Sequence, residues 1–210
     1  MICAELNFRL PKTARWRAAK SAIRYVRAHA KELGVDPHRI AAGGGSAGGH
    51  IAGCTGTVPG LDEQGEDTAV SSVPDAMVLF NPVLTLAPLD GNDFGGFGAR
   101  LPTERLGAEL AAISPTHHVK AGAPPTIVFH GKADSSVPFA TVEVFAAAMR
   151  KAGNRCEVAG FEGQQHGFFN FGNGDNAMFR ETLKQADKFL ASLGWLSGDA
   201  TVDSFFAGAK

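Results

Sequence analysis

Three side chains in this chain could together cleave an acyl bond: Ser46, Asp134 and His166. A serine hydroxyl is a weak nucleophile until a neighbouring base takes its proton, and an imidazole serves as that base when a carboxylate fixes its tautomer and stabilises the imidazolium. Ser46 stands in Gly44-Gly45-Ser46-Ala47-Gly48, a G-x-S-x-G match. In a chain with 26 glycines such a match arises by chance in about one sequence in seven, so the motif needs a context. That context is a short strand directly before it and a small-residue helix directly after it, the setting of a nucleophile held on a sharp strand-to-helix turn. Asp134 follows the apolar run Thr126 to Phe129, and His166 follows residues 156 to 161. Each would stand at the carboxyl end of a parallel strand, the edge where open α/β sheets place their sites. The chain order serine, acid, histidine is the order such a sheet requires.

The competing readings of these residues are specific. Gly43, Gly45 and Gly48 also satisfy G-x-G-x-x-G. A dinucleotide site would then need a strand ending in an acidic residue about 20 positions on, and residues 62 to 70 hold acids without a strand to carry them. The glycine run could also be a purely structural turn, and Asp134 an ordinary turn aspartate. Among the other histidines, His29 and His38 flank the first helix as surface residues, while His50 lies one turn past Ser46 and reads as packing. His117 and His118 are adjacent and point apart, and His130 is placed to brace the acid's loop. No His/Cys/Asp/Glu spacing resembles a metal site, so neither a metal nor another cofactor is expected.

The elements that would position the three residues alternate as strand and helix, the mark of a parallel sheet. Residues 2 to 8 read as a strand. Trp16, Ala19, Ile23, Val26, Ala30 and Leu33 then line one face of a helix closed by Gly34. Strands follow at 39 to 43, 77 to 83, 126 to 129 and 156 to 161, with helices at 47 to 56, 138 to 152 and 176 to 193. The expected architecture is a single three-layer α/β domain over residues 1 to 210 with a mainly parallel sheet of about five to six strands. The acidic segment 57 to 75 reads as an exposed solvated loop. Residues 84 to 124 read as a lid or pocket wall inserted between two core strands.

Composition narrows the function classes. The chain has 210 residues, 44% of them hydrophobic, and a net charge of -1, which suits one packed core and offers no basic stripe for nucleic acid. No apolar stretch approaches the roughly 20 residues of a membrane helix, and the N-terminus lacks the build of a signal peptide. A cytoplasmic location without membrane partners is expected. Cys3, Cys54 and Cys156 form an odd set without paired spacing and read as free thiols.

The combination of motifs resembles the bacterial α/β-hydrolase esterases related to hormone-sensitive lipase and to carbohydrate acetyl esterases. The resemblance is carried by Asp36 to Ala52 (DPHRIAAGGGSAGGHIA), Asn81-Pro82, Ser114-Pro115-Thr116-His117-His118, Pro124-Pro125, Gly131 to Pro138 and Glu162 to Phe168. It implies Ser46 as nucleophile, Asp134 as acid, His166 as base and the backbone N–H of Ala47 as one oxyanion donor. Such enzymes usually carry three further strands and a His-Gly-Gly-Gly loop ahead of a strand like residues 2 to 8. An N-terminally shortened fold with half an oxyanion hole is therefore expected, with weakened turnover and exposed pairing edges that favour a homodimer. The expected substrate is a small-molecule ester with a short acyl group, an acetylated sugar being one variant. Gly45, Phe94, Phe97 and Phe168 are the expected pocket residues. Two other readings stand beside this one: an inactive scaffold that works as a dimerisation module, and a peptidase or amidase on the same fold.

Overall fold

A computed structural model describes residues 14 to 101 and 106 to 208; the expected strand at 2 to 8, and Cys3 with it, lie outside the described residues. Helix α1 (Ala14–Ala28) and the short α2 (Ala30–Leu33) lead into strand β1 (Ala41–Gly45), helix α3 (Ala47–Thr57) and strand β2 (Ala76–Phe80). After a long excursion containing three short 3-10 turns come β3 (Thr126–Gly131), α4 (Phe139–Lys151), β4 (Cys156–Phe161), α5 (Ala177–Ser192) and α6 (Val202–Gly208). The four strands are parallel and lie in chain order, β1-β2-β3-β4. These four are the expected strands that fall on the described residues, and the fifth, at 2 to 8, lies outside them.

Helices cover both faces, and this is why β2 and β3 read as unbroken apolar runs. Met77, Leu79 and Val128 face Ala52 of α3 and Val142, Phe145, Ala146 and Met149 of α4. The alternate residues Ala76, Ile127 and Phe129 face Ala186 and Phe189 of α5. All six residues of β3 are buried, and Met77, Leu79, Phe129 and Phe145 are fully enclosed. Each such side chain stabilises the fold by about 1.5–3 kcal/mol relative to an exposed one. Helix α1 packs outside α3 through Trp16, which meets Cys54 and Val58. No helix among the described residues is long and apolar enough to cross a membrane.

Three differences from the sequence reading have local causes. The first helix breaks at His29, and Gly34 closes its second piece in the left-handed conformation (φ 65°), its N–H donating to carbonyls of that last turn. Strand β1 runs through the glycines themselves because Ala41 to Gly45 pair residue for residue with Ala76 to Phe80. Strand β2 stops early because Asn81 turns to φ 41° ahead of Pro82.

The acidic segment is not simply solvated. Arg24 of α1, buried on its helix, donates to Asp62 (2.7 Å), to Glu66 and to the Val70 carbonyl (2.8 Å). Lys20 donates to the Val58 (2.8 Å) and Gly60 carbonyls. The two ends of the 84 to 124 excursion are likewise tied down where they are described. Thr85 donates to the Thr141 carbonyl (2.7 Å), Thr116 to the Leu84 carbonyl (2.8 Å), and Ser114 accepts from the Leu86 N–H (3.0 Å).

Candidate active site

The nucleophile's position is set by backbone strain and by missing side chains. Ser46 joins β1 to α3 with φ 54° and ψ -119°, a conformation that costs a non-glycine residue about 1–3 kcal/mol and persists only where its surroundings enforce it. Two backbone bonds do so: the Ser46 N–H donates to the Phe80 carbonyl (2.9 Å), and the Ser46 carbonyl accepts from the His50 N–H (3.0 Å). The turn is tight enough that a Cβ on Gly44 would stand 2.6 Å from the Gly48 carbonyl carbon. On Gly45 it would stand 2.6 Å from the Phe169 ring. Ala47 opens α3, so its N–H has no acceptor within the helix and points where the helix end is partially positive.

The acid and base arrive on the loops after β3 and β4. Those loops are hydrogen-bonded to each other, Lys132 N–H to the Phe161 carbonyl (2.9 Å) and Ala133 N–H to the Gln164 carbonyl (3.1 Å). A Cβ on Gly131 would overlap the Gln164 carbonyl. His166 Nε2 lies 2.9 Å from Ser46 Oγ and His166 Nδ1 lies 2.7 Å from Asp134 Oδ2. The Asp134 carboxyl is fully buried, while the His166 side chain keeps 28% of its surface open. The structure therefore joins all three predicted residues in one chain of hydrogen bonds.

Asp134 is held by more than its histidine. Its Oδ1 accepts from the N–H groups of Ser136 (2.8 Å) and Val137 (2.9 Å), and its Oδ2 accepts from the Asn81 amide as well as from His166. Burial alone would push its pKa up. The hydrogen bonds from His166, Val137, Asn81 and Ser136 outweigh that and hold the carboxyl below the ordinary carboxylate range. His130 is completely buried beside it and donates through Nε2 to the Val137 carbonyl (3.0 Å), bracing the acid loop. Burial holds its pKa below the usual histidine value despite the Val137 bond and the nearby Asp134 charge. His50 is spent elsewhere, its Nε2 2.7 Å from the Ile113 carbonyl.

The three phenylalanines expected at the pocket are all buried. Phe94 and Phe97, 8% and 4% exposed, pack with Val137 of the acid loop. Phe168 is core beneath the sheet, with Phe129, Ala186 and Phe189. Its neighbour Phe169 is the ring at the elbow, against Gly45 and 5.0 Å from the Phe80 ring. Adjacent phenylalanines give no sign in sequence of which one turns inward. Asn81 was visible in sequence as part of an Asn-Pro pair within the expected strand 77 to 83, but nothing connected it to Asp134.

The dinucleotide reading meets a physical obstacle: the strand after the glycine run ends on Phe80, which offers no carboxylate to a ribose. Among the described residues no three His, Cys, Asp or Glu side chains gather as a metal would need. Cys54 and Cys156 are free and buried, and burial raises the Cys156 thiol to about 12.

Comparison with known proteins adds to this geometry. The BD-FAE family model matches residues 1–149, and the dienelactone hydrolase family model matches residues 106–196. A probable carboxylic ester hydrolase, LipM, from Mycobacterium tuberculosis is 31% identical over 91% of this chain and 47% of its own length. An acetylxylan esterase from Xylanibacter ruminicola is 27% identical over 91% of this chain and 38% of its own. The chain thus spans less than half of these two curated relatives. Among solved structures, Thermogutta terrifontis esterase 2 with propionate bound superposes at a TM-score of 0.82 with 53% identity, over 91% of this chain and 69% of that one. The same esterase phosphoramylated by tabun superposes equally well, at 0.82 with 52% identity over the same shares of the two chains.

Proposed function

Because the chain belongs to the BD-FAE family and carries an α/β-hydrolase fold, we propose that it is a serine carboxylic ester hydrolase acting through an acyl-enzyme on short-chain acyl esters. The observation that carries the reading is the continuous chain from Ser46 Oγ through His166 (2.9 and 2.7 Å) to a buried carboxylate. Ser46 Oγ attacks the ester carbonyl as His166 Nε2 takes its proton. Asp134 stabilises the imidazolium, and the Ala47 N–H donates to the oxyanion. Collapse expels the alcohol with the proton from His166, and water, activated by the same imidazole, releases the acid and restores Ser46.

The preference for short acyl groups is supported by the propionate bound in the Thermogutta esterase and by the Phe169 ring against Gly45, which narrows the space at the elbow. The likeness to an acetylxylan esterase supports acetylated sugars as one substrate class. The test compares hydrolysis of p-nitrophenyl acetate and butyrate by the parent and by Ser46→Ala. A loss of at least about 10³-fold in the variant is expected, and equal rates would overturn the assignment. A matching p-nitroanilide separates an amidase, which would cleave both.

A homodimer is the associated proposal. Among the described residues β1 pairs on one side only, and an unpaired parallel edge invites a second chain. Light scattering at micromolar concentration tests it, and a monomer mass would remove it.

A further inference from the structure

Asn81 is completely buried at the end of β2, and its amide nitrogen hydrogen-bonds Asp134 Oδ2, the same oxygen that His166 uses. Three observations separate this contact from ordinary packing. The residue leaves the strand at φ 41°, a conformation that asparagine tolerates better than most side chains. Its backbone N–H donates to the Phe129 carbonyl (2.8 Å), which pins its Cα against the strand from which the acid loop springs. Its own Oδ1 is buried without a partner among the described residues. An amide chosen for stability alone would satisfy both ends, whereas here the oxygen goes unpaired so that the N–H reaches the acid.

We propose that Asn81 is a positioning residue of the triad, whose neutral donor sets how tightly the Asp134–His166 pair holds a proton and so where the acid side of the activity profile falls. The inference rests on the esterase reading. The titratable groups facing Asp134 are His166 and His130. His130 reaches Oδ2 only at 3.4 Å, and its Nε2 is given to the Val137 carbonyl. Lys132 on the same loop turns outward to Glu162 (2.5 Å). Asn81 is therefore the only side chain besides His166 that donates to the carboxylate among the described residues. Each donor spreads the negative charge of Asp134. With one removed, the pair takes up a proton at higher pH, whichever of its two members receives it.

The experiment measures kcat/KM for p-nitrophenyl acetate from pH 4.5 to 9 for the parent, Asn81→Gly and Asn81→Asp, with Ser46→Ala as the blank. Glycine keeps the backbone conformation and removes the donor, so the acid limb should move up by about half to one pH unit with KM little changed. Aspartate keeps the shape but sets a second carboxylate against Asp134, and the limb should move up by more than about one unit. Variants whose plateau falls while the limb stays in place, or moves down, overturn the proposal in favour of packing. Loss of the folded far-UV signal in both variants overturns it as well. A Ser46→Ala blank as fast as the parent would remove the esterase reading and this one together, whereas a dead blank with an unmoved limb removes only this one.

Discussion

The two halves of the site are built by opposite means. On the nucleophile side, β1 and the turn into α3 contribute strain and emptiness: a serine at φ 54°, three consecutive glycines before it, and no charged group. On the acid–base side, the loops after β3 and β4 contribute donors: four hydrogen bonds converge on one buried carboxylate, and backbone bonds tie the two loops together. One half depends on which atoms are missing and the other on which are charged. The difference teaches that damage to the halves should separate. Loss of charge should cost activity with little change of fold, whereas an added atom should cost both.

The largest effect is expected from Asp134→Asn. The backbone donors of Ser136 and Val137 could still bond an amide oxygen, so the loop should keep its shape. The amide would present an N–H to His166, favour the wrong tautomer and leave the imidazolium without its counter-charge. Activity on p-nitrophenyl acetate should fall about 10⁴-fold. An accompanying collapse of the urea midpoint would show that the acid holds the fold as well, and would erase the contrast between the halves.

Gly44→Ala attacks the other half and ranks next. The new Cβ would meet the Gly48 carbonyl carbon at 2.6 Å, its oxygen at 2.8 Å and the Gly49 nitrogen at 3.0 Å, all backbone of the first turn of α3. Backbone yields only by moving the helix, and with it Ser46. A stability loss of about 1–3 kcal/mol should accompany an activity loss of about 10²-fold, read from urea unfolding and kcat/KM on one preparation. Parental activity in a destabilised variant would mean that the elbow can relax independently of its helix.

These contrasts also explain how much was legible in sequence. Ser46 could be found from its glycine motif, and Asp134 and His166 because each stands just beyond a strand-like segment, where strand ends fix where loops emerge. The extent of β1 could not, because glycines have low strand propensity, and only pairing with β2 makes Gly43 to Gly45 a strand. The packing partners of Phe94, Phe97 and Phe168 were hidden for a related reason. A phenylalanine in a loop near the site has the same sequence signature whether it lines a pocket or backs a loop, and what decides is the direction of its Cα–Cβ bond. Likewise the acids at 62 and 66 read as solvated because their partner, Arg24, lies some 40 residues away on α1.

Acid sensitivity supplies a third, smaller contrast. The fold holds Asp134 below the ordinary carboxylate value near 4. A group whose pKa is lower folded than unfolded contributes stability that is fully present above the unfolded value and is lost as pH falls through the folded one. Urea midpoints at pH 6, 4 and 3 should therefore decline more steeply for the parent than for Asp134→Asn. Parallel declines would show that the acid–base half carries no linkage of its own.

The smallest effect, and the finest test of the nucleophile half, is expected from Gly45→Ala. Here the new Cβ would meet Phe169 Cζ at 2.6 Å and Cε2 at 2.9 Å, the far edge of a half-buried ring, with backbone no closer than the Phe80 oxygen at 3.7 Å. A ring edge can swing, although its tilted packing on Phe80 at 5.0 Å and its edge contact with Phe168 at 5.9 Å resist this. The loss should be about 1 kcal/mol of stability and a few-fold in kcat/KM. Phe169→Ala removes the obstacle, so in the double variant the alanine at 45 should cost almost nothing, a coupling of about 0.5–1.5 kcal/mol. Strict additivity would mean that the Cβ disturbs the turn itself. Gly44 and Gly45 would then be constrained alike by the elbow, and the distinction between backbone that cannot move and a side chain that can would fail.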